Sequence, residues 1–285
     1  MLSKFDYVKP QTLAEALDYL EQHAQDSKIL AGGTDLLVLL RRNMEMPSHV
    51  LDIKGLEETR RLEYVAGEGL FLGAAVTVNQ VAESEVVNEK YPALAEAAKS
   101  LASYQLRNRA TLVGNICNAS PGGDLSGPLL VFEAKVHIAS KNGQREIPIS
   151  EFFIGVKKTV VKPGEMVLGV TLPEVVANDY SLYFKQTRIK GHDLGIVGLA
   201  ARLSSDQKFY LAMSSVAPTP IRLTQLEQML NSHPLSADLA ERAALEVRQQ
   251  IKPISDVRAS AEYRLHLAGI FVKRAVNRLL VMGGN

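Results

Sequence analysis

Apolar residues at positions 13, 16, 17 and 20 fall three and four apart, the period of one helix face. Thr12 precedes this run and Glu15 stands three residues further on, which is the signature of a capping box. Upstream, Asp6 to Pro10 is a short segment closed by its proline. Downstream, Lys28-Ile29-Leu30-Ala31 predicts a strand running into Gly32-Gly33. Asp35 to Arg42 turns from apolar to basic and predicts a helix opening at that loop. Val50 to Ile53 predicts a second strand. Residues 1–55 therefore read as a small βαβ-type lobe.

Residues 56–175 read as a second lobe. A strand is predicted at Gly69 to Ala74, and helices at Val78 to Ser84 and Pro92 to Ser103. Lys135 to Ala139 alternates, Asn142-Gly143 marks a tight hairpin turn, and Arg145 to Ile149 returns. Met166 to Leu172 is a further strand closed by Pro173. From 176 to 285 the style changes. Ser181–Gln186, Ile196–Leu203 and Lys208–Val216 predict strands, and the pattern from Leu223 onward is helical to the end. The fold class expected is α+β, with one domain over 1–175 and another over 176–285.

A chain of 285 residues that is 46% hydrophobic can bury a large core. The net charge of +1 lacks the basic footprint of a nucleic-acid binder. No apolar run reaches the roughly 18 residues of a membrane span, and the N-terminus has no apolar core of a signal peptide. The single cysteine, Cys117, rules out an internal disulfide and falls short of the about four thiolates of an iron–sulfur cluster. Its simplest reading is a small buried apolar residue. The histidines show no metal-ligand spacing. These features predict a cytosolic protein without a metal site of its own.

Two glycine-punctuated segments carry the candidate chemistry. The first is Ala31-Gly32-Gly33-Thr34-Asp35. The second is Thr111-Leu112-Val113-Gly114-Asn115, followed by Ala119-Ser120-Pro121-Gly122-Gly123-Asp124. Glycine lets the main chain approach a ligand and take positive φ, and successive N–H groups then form an anion nest. The helix opening at Asp35 would aim further N–H groups at an anion. Asp124, after a rigid turn, could accept hydrogen bonds from sugar or ribityl hydroxyls. No Rossmann or Walker sequence is present, so the pair points to a dinucleotide held by another fold.

Four stretches, AGGTDLL, RNRATLVGNICNASPGGDLSGPLL, YFKQTRIKGHDLGIVGLAARL and SDVRASAEYRLHLAGIFVKRAV, resemble in order the FAD-binding (medium) subunit of the molybdenum hydroxylases. The resemblance covers essentially the whole chain. It implies the two-lobed FAD domain shared with vanillyl-alcohol oxidase (the PCMH type), plus a C-terminal α+β domain with a small antiparallel sheet. It implies that Ile29, Leu30, Ala31, Gly32, Gly33, Thr34, Asp35 and Leu36 wrap the FAD pyrophosphate. Thr111, Gly114 and Asn115 would meet the phosphates and flavin edge, and Asp124 the hydroxyls. Leu168 would contact the cofactor through main chain, and Lys185 would lie near it, where a cation tunes a flavin. FAD would be held non-covalently, with no catalytic acid or base required of the chain.

The family pattern reads T-x-G-G-N, whereas here Val113 stands at its first glycine. A β-branched residue resists positive φ, which bears on how closely this loop approaches a flavin. The resemblance further implies two partners: a large molybdopterin-binding subunit and a small subunit carrying [2Fe–2S] clusters, in a heterotrimer or its dimer. The chain would pass electrons from the clusters to an external acceptor. The alternative is a stand-alone FAD-dependent oxidoreductase with its substrate at the flavin.

Overall fold

A computed structural model describes residues 3–189, 191–233 and 237–284. Three larger sheets organise them, beside a two-stranded hairpin of Phe153–Gly155 with Lys158–Thr159. Strands Asp6–Val8, His49–Asp52 and Ser27–Leu30 form a parallel sheet in that order. The helix Leu13–Gln22 crosses between its outer strands, as the βαβ reading requires. Its capping box is present: the Thr12 hydroxyl accepts from the Glu15 N–H at 3.2 Å, and Glu15 Oε2 accepts from the Thr12 N–H at 3.4 Å and from the Gln11 N–H at 2.7 Å.

The second sheet has the order Leu62–Val65, Gly69–Gly73, Met166–Leu172, Lys135–Ser140, Gly143–Pro148, all antiparallel. Its central strand Met166–Leu172 is buried at every position but Thr171, flanked by a paired strand on each side. This sheet and the parallel one share a single hydrophobic core, in which Leu20, Leu51 and Ile53 meet Leu70, Leu94 and Val170. The third sheet, Tyr180–Gln186, Val197–Leu203, Phe209–Ser214 and Ile221–Arg222, is antiparallel. It packs with the helices Thr224–Asn231, Ala237–Gln250 and Ala261–Met282 around a second core. Tyr183, Ala200 and Ala212 of this sheet belong to the first core, so the two halves abut directly. The architecture is α+β, as expected.

Two expected elements are shorter than predicted. The helix from Pro92 stops at Ser100, not Ser103. Leu101 and Ala102 leave the helical region and give their carbonyls to the Arg107 guanidinium, at 2.9 and 3.2 Å. The Ser103 hydroxyl then caps a separate turn, Tyr104–Arg107. The C-terminal region is also not helical throughout, because residues 251–260 are irregular. Pro253 has no N–H to continue a helix, and the Asp256 carboxylate takes the backbone N–H groups of Arg258 and Ala259 at 2.8 and 3.3 Å.

Candidate functional site

The strand Ser27–Leu30 delivers the first glycine segment to the junction between the parallel and antiparallel sheets. Gly33 has φ +74°, a conformation open to glycine without strain, and a Cβ there would sit 2.9 Å from Leu30 Cδ1. A Cβ at Gly32 would collide with the Arg109 carbonyl. Neighbouring backbone therefore excludes a side chain at Gly32, while at Gly33 it is the positive φ that disfavours one. Gly33 O accepts from Leu37 N at 3.0 Å, and Asp35 O accepts from Val38 N and Leu39 N. Among the described residues, the N–H groups of Ala31 through Leu36 have no acceptor in the protein. That is a run of free donors at one turn, the arrangement of an anion nest.

The second segment stands opposite. Thr111 forms an isolated antiparallel bridge with Thr77 and begins the helix Leu112–Cys117, its hydroxyl accepting from Gly114 N at 2.9 Å. A Cβ at Gly114 would press on that hydroxyl at 2.7 Å, so glycine keeps the cap intact. Val113 lies inside this helix and is 3% exposed. Its φ is not among the positive ones, so the penalty anticipated for a β-branched residue does not arise. Asn115 Oδ1 is buried and has no hydrogen-bond partner, an uncommon state for a buried acceptor. Gly123 passes beneath it, where a Cβ would lie 3.3 Å from that oxygen.

Between the two segments lies a cleft of about 390 Å³. Ile29, Ala31, Gly32, Gly33, Thr34, Asp35, Leu36, Thr111, Gly114 and Asn115 all line it. The residues fit a dinucleotide on the structure's own terms: free N–H groups for a pyrophosphate, an orphaned amide oxygen for a donor, and apolar walls from Ile53, Ala74 and Met166. Asp35 does not cap the helix that follows it. Its Oδ1 accepts from Asn118 Nδ2 at 3.0 Å, and Asn118 Oδ1 accepts from Lys157 Nζ at 2.7 Å. This chain of polar contacts ties the two segments and the hairpin Phe153–Lys158 region across the cleft.

Four expected residues lie outside the cleft lining. Leu30 packs beneath the loop, against the position of Gly33. Leu168 occupies an irregularity in the strand register between Val167 and Gly169, and its carbonyl accepts from Ala74 N at 2.8 Å. Asp124 and Lys185 instead find each other. Lys185 Nζ lies 2.8 Å from Asp124 Oδ2 and also donates to Ser100 O at 3.1 Å, while the Tyr183 hydroxyl donates to Asp124 Oδ1 at 2.9 Å. Both charged side chains are under 10% exposed. Burial pushes the Asp124 carboxyl above its ordinary value, and Lys185 and Tyr183 pull it back. The Tyr183 hydroxyl is pushed far up by burial and by that carboxylate, so it acts only as a neutral donor.

Cys117 corrects an expectation: it is not buried in the core but lines the cleft and is exposed there. Asn118, Thr159 and Val161 also line the cleft without having been anticipated. Asn118 stands three residues after Asn115, hence on the same helical face, and that spacing could have singled it out. Thr159 ends the distant hairpin and Val161 follows it, and neither carries a local signal. Among the described residues no helix is long and apolar enough to cross a membrane, and no cluster of metal-binding side chains occurs.

Comparison with known proteins agrees with this geometry. Residues 3–175 match the family described as the FAD binding domain in molybdopterin dehydrogenase, and residues 182–279 match the CO dehydrogenase flavoprotein C-terminal domain. The chain is 34% identical over 283 residues to the xanthine dehydrogenase FAD-binding subunit of Escherichia coli O157:H7, covering 98% of this chain and 97% of that one. It is 31% identical to the carbon monoxide dehydrogenase medium chain of Hydrogenophaga pseudoflava, with 96% of each chain covered. A solved carbon monoxide dehydrogenase from Hydrogenophaga pseudoflava superposes with a TM-score of 0.93 over 99% of both chains, at 30% identity. Quinoline 2-oxidoreductase from Pseudomonas putida 86 superposes with a TM-score of 0.92 over the full length of both, at 26% identity. With a nest of free N–H groups facing an orphaned amide across one cleft, and with matches spanning both halves, the chain belongs to the FAD-binding subunits of the molybdenum hydroxylase family.

Proposed function

We propose that this chain is the electron-transfer flavoprotein of a molybdenum-containing dehydrogenase. In this reading it takes electrons from [2Fe–2S] clusters on a small partner subunit, itself served by a large molybdopterin-binding subunit. It delivers them to an external acceptor, within a heterotrimer or its dimer in the cytoplasm. The observation that carries the reading is the cleft between the two glycine segments, with unpaired N–H groups from Ala31 through Leu36 on one wall and Asn115 Oδ1 on the other.

Bound FAD supplies the redox chemistry by taking up and releasing electrons reversibly. The chain's own residues bind and orient. Ile29 through Leu36 would cradle the pyrophosphate, and Thr111, Gly114 and Asn115 would fix the opposite side. Leu168 would present main chain from its irregular strand position. Asp124 would accept from cofactor hydroxyls while Lys185 holds its charge. The attachment would be non-covalent, since no histidine or cysteine stands in either glycine segment at a position the family uses for a flavin link. We assign residues 1–175, in lobes 1–55 and 56–175, to FAD binding and residues 176–285 to a second domain that closes over Asp124.

Support for a partner comes from the surface of that second domain. Ile189, Leu194, Ile254 and Val257 are 62, 58, 70 and 94% exposed. Large apolar side chains left exposed favour a covered face.

Purification from the native host with flavin and metal analysis tests the reading. The expected result is FAD released by acid, together with molybdenum and iron in co-purifying subunits. A chain that purifies alone and whose flavin is bleached anaerobically by an organic substrate would instead be a stand-alone flavoenzyme.

A further inference from the structure

Arg264, on the C-terminal helix Ala261–Met282, is among the most deeply buried side chains of the molecule, 2% exposed. A buried cation is costly unless its donors are met. Arg264 spends them on main chain flanking the ends of two strands and on one carboxylate. Nη1 donates to the Ile196 carbonyl and, at 3.3 Å, to the Ser215 carbonyl, while Nη2 lies 2.7 Å from Asp256 Oδ1. Nε is buried without a partner. Replacing a buried ion pair by apolar side chains is often neutral or stabilising, so stability alone is a weak reason for such a group.

What Arg264 grips leads to the charge pair beside the cleft. Ser215 N donates to Pro121 O at 2.7 Å, and Ser215 Oγ donates to Gly195 O at 3.0 Å. Pro121-Gly122-Gly123 is the turn that delivers Asp124, and a Cβ at Gly122 would press on Ser215 Oγ at 2.8 Å. Gly195 covers the pair from the other side: a Cβ there would lie 3.6 Å from Lys185 Cε and 3.7 Å from Asp124 Oδ1. Ile196 N, next to it, donates to Gln186 O at 2.7 Å and so fixes the end of the strand that carries Lys185. One guanidinium thus holds the two carbonyls from which the Asp124 turn and the Lys185 strand end are both set.

We propose that Arg264 is a positioning residue, fixing through Ser215 and Ile196 the Asp124–Lys185 pair that the FAD site uses. This rests on the assignment of Asp124 and Lys185 to that site. Asp256 fixes Arg264 in turn. Burial works against the Asp256 carboxylate, but Arg258, two backbone N–H groups and Arg264 hold it well below the usual carboxylate range, so the anchor stays charged.

The test uses the full-length chain with FAD and reads the FAD dissociation constant and the visible spectrum of the bound flavin. Arg264→Gln, Asp124→Asn, their double variant and Arg264→Lys are compared. Arg264→Gln is expected to weaken FAD binding by about tenfold, the scale of one lost charge-assisted hydrogen bond, and to shift the spectrum as Asp124→Asn does. The double variant is expected to be no worse than the worse single one, because both act on the same group. Arg264→Lys should recover part of the loss. Wild-type affinity and spectrum in Arg264→Gln overturn the proposal while leaving the site assignment standing, as does full additivity in the double variant. A silent Asp124→Asn overturns the site assignment and this proposal with it. If Arg264→Gln does not fold, Asp256→Asn replaces it, since it loosens the guanidinium itself; it is expected to give the same spectral shift at smaller size, and an unchanged spectrum and affinity overturn the proposal.

Discussion

The glycine-walled cleft and the Asp124–Lys185–Tyr183 cluster are neighbours built on opposite plans. In the cleft polar groups are left unsatisfied: the main-chain donors from Ala31 through Leu36 and the side-chain Oδ1 of Asn115 have no protein partner. In the cluster every charged atom is answered within the protein, at 2.8 to 3.1 Å. The buried Asn115 Oδ1 costs free energy until something pairs with it, and the part-exposed donors of the loop are free to take an anion, so the cleft is poised to gain from a ligand. A satisfied buried pair gains little from a new partner and loses much if one member is removed. The first region is where binding energy is available; the second is where geometry and charge are fixed beforehand.

The sharpest way to break this comparison is at Gly32. Gly32→Val places a branched side chain against the Arg109 carbonyl, so FAD binding should be lost and the thermal midpoint should fall as well. Gly33→Val meets a movable leucine side chain instead and adds a φ penalty of about 1–2 kcal/mol, so it should bind FAD poorly while folding. Fluorescence titration with FAD beside thermal melts checks both. Wild-type binding by Gly33→Val would mean the loop is only a turn.

Next in size comes the cluster. Lys185→Met strands a buried carboxylate and should cost about 3–5 kcal/mol of stability, whereas Lys185→Met with Asp124→Leu should cost much less than the two single changes summed. Chemical denaturation of the four proteins gives the coupling. Additive costs would show that the pair is not a unit.

The sign of the pH dependence separates the cluster from the anchor at Asp256. The Asp124 carboxyl is raised in the folded chain by burial, so its contribution is fully present below the unfolded value of about 3.9 and is lost as pH rises through the folded value. The Asp256 carboxyl is lowered, so its contribution is present above that unfolded value and is lost as pH falls through the folded one. Relative to their Asn variants, the wild-type protein should therefore lose stability toward high pH at Asp124 and toward low pH at Asp256. Denaturant melts at several pH values decide it; parallel trends would contradict the assigned directions.

The smallest effect is expected at Asn118. Asn118→Ala removes an exposed bridge between Asp35 and Lys157. It should change stability by less than about 1 kcal/mol but speed FAD release, since the two walls lose their only side-chain tie among those described here. Stopped-flow displacement of FAD checks this, and an unchanged release rate would assign the bridge to the surface alone.

Local sequence determined a good deal. The apolar spacing around Leu13 to Leu20 and the Thr12–Glu15 pair set that helix and its start, because both effects act within one turn of chain. Met166–Leu172 was legible to the residue, since a continuous apolar run ending at proline leaves little choice. The two glycine segments announced a backbone-lined site because glycine's lack of a Cβ is a local property. Tertiary structure decided the rest. That Val113 sits safely in a helix, that Cys117 opens into the cleft, and that Thr159 and Val161 wall it depend on which distant segments meet there. The pairing of Asp124 with Lys185, 61 residues apart, and the reach of Arg264 to Ile196 and Ser215 have no local signature. The energies of buried charges depend on surroundings assembled from the whole chain, and the sequence around each residue does not contain them.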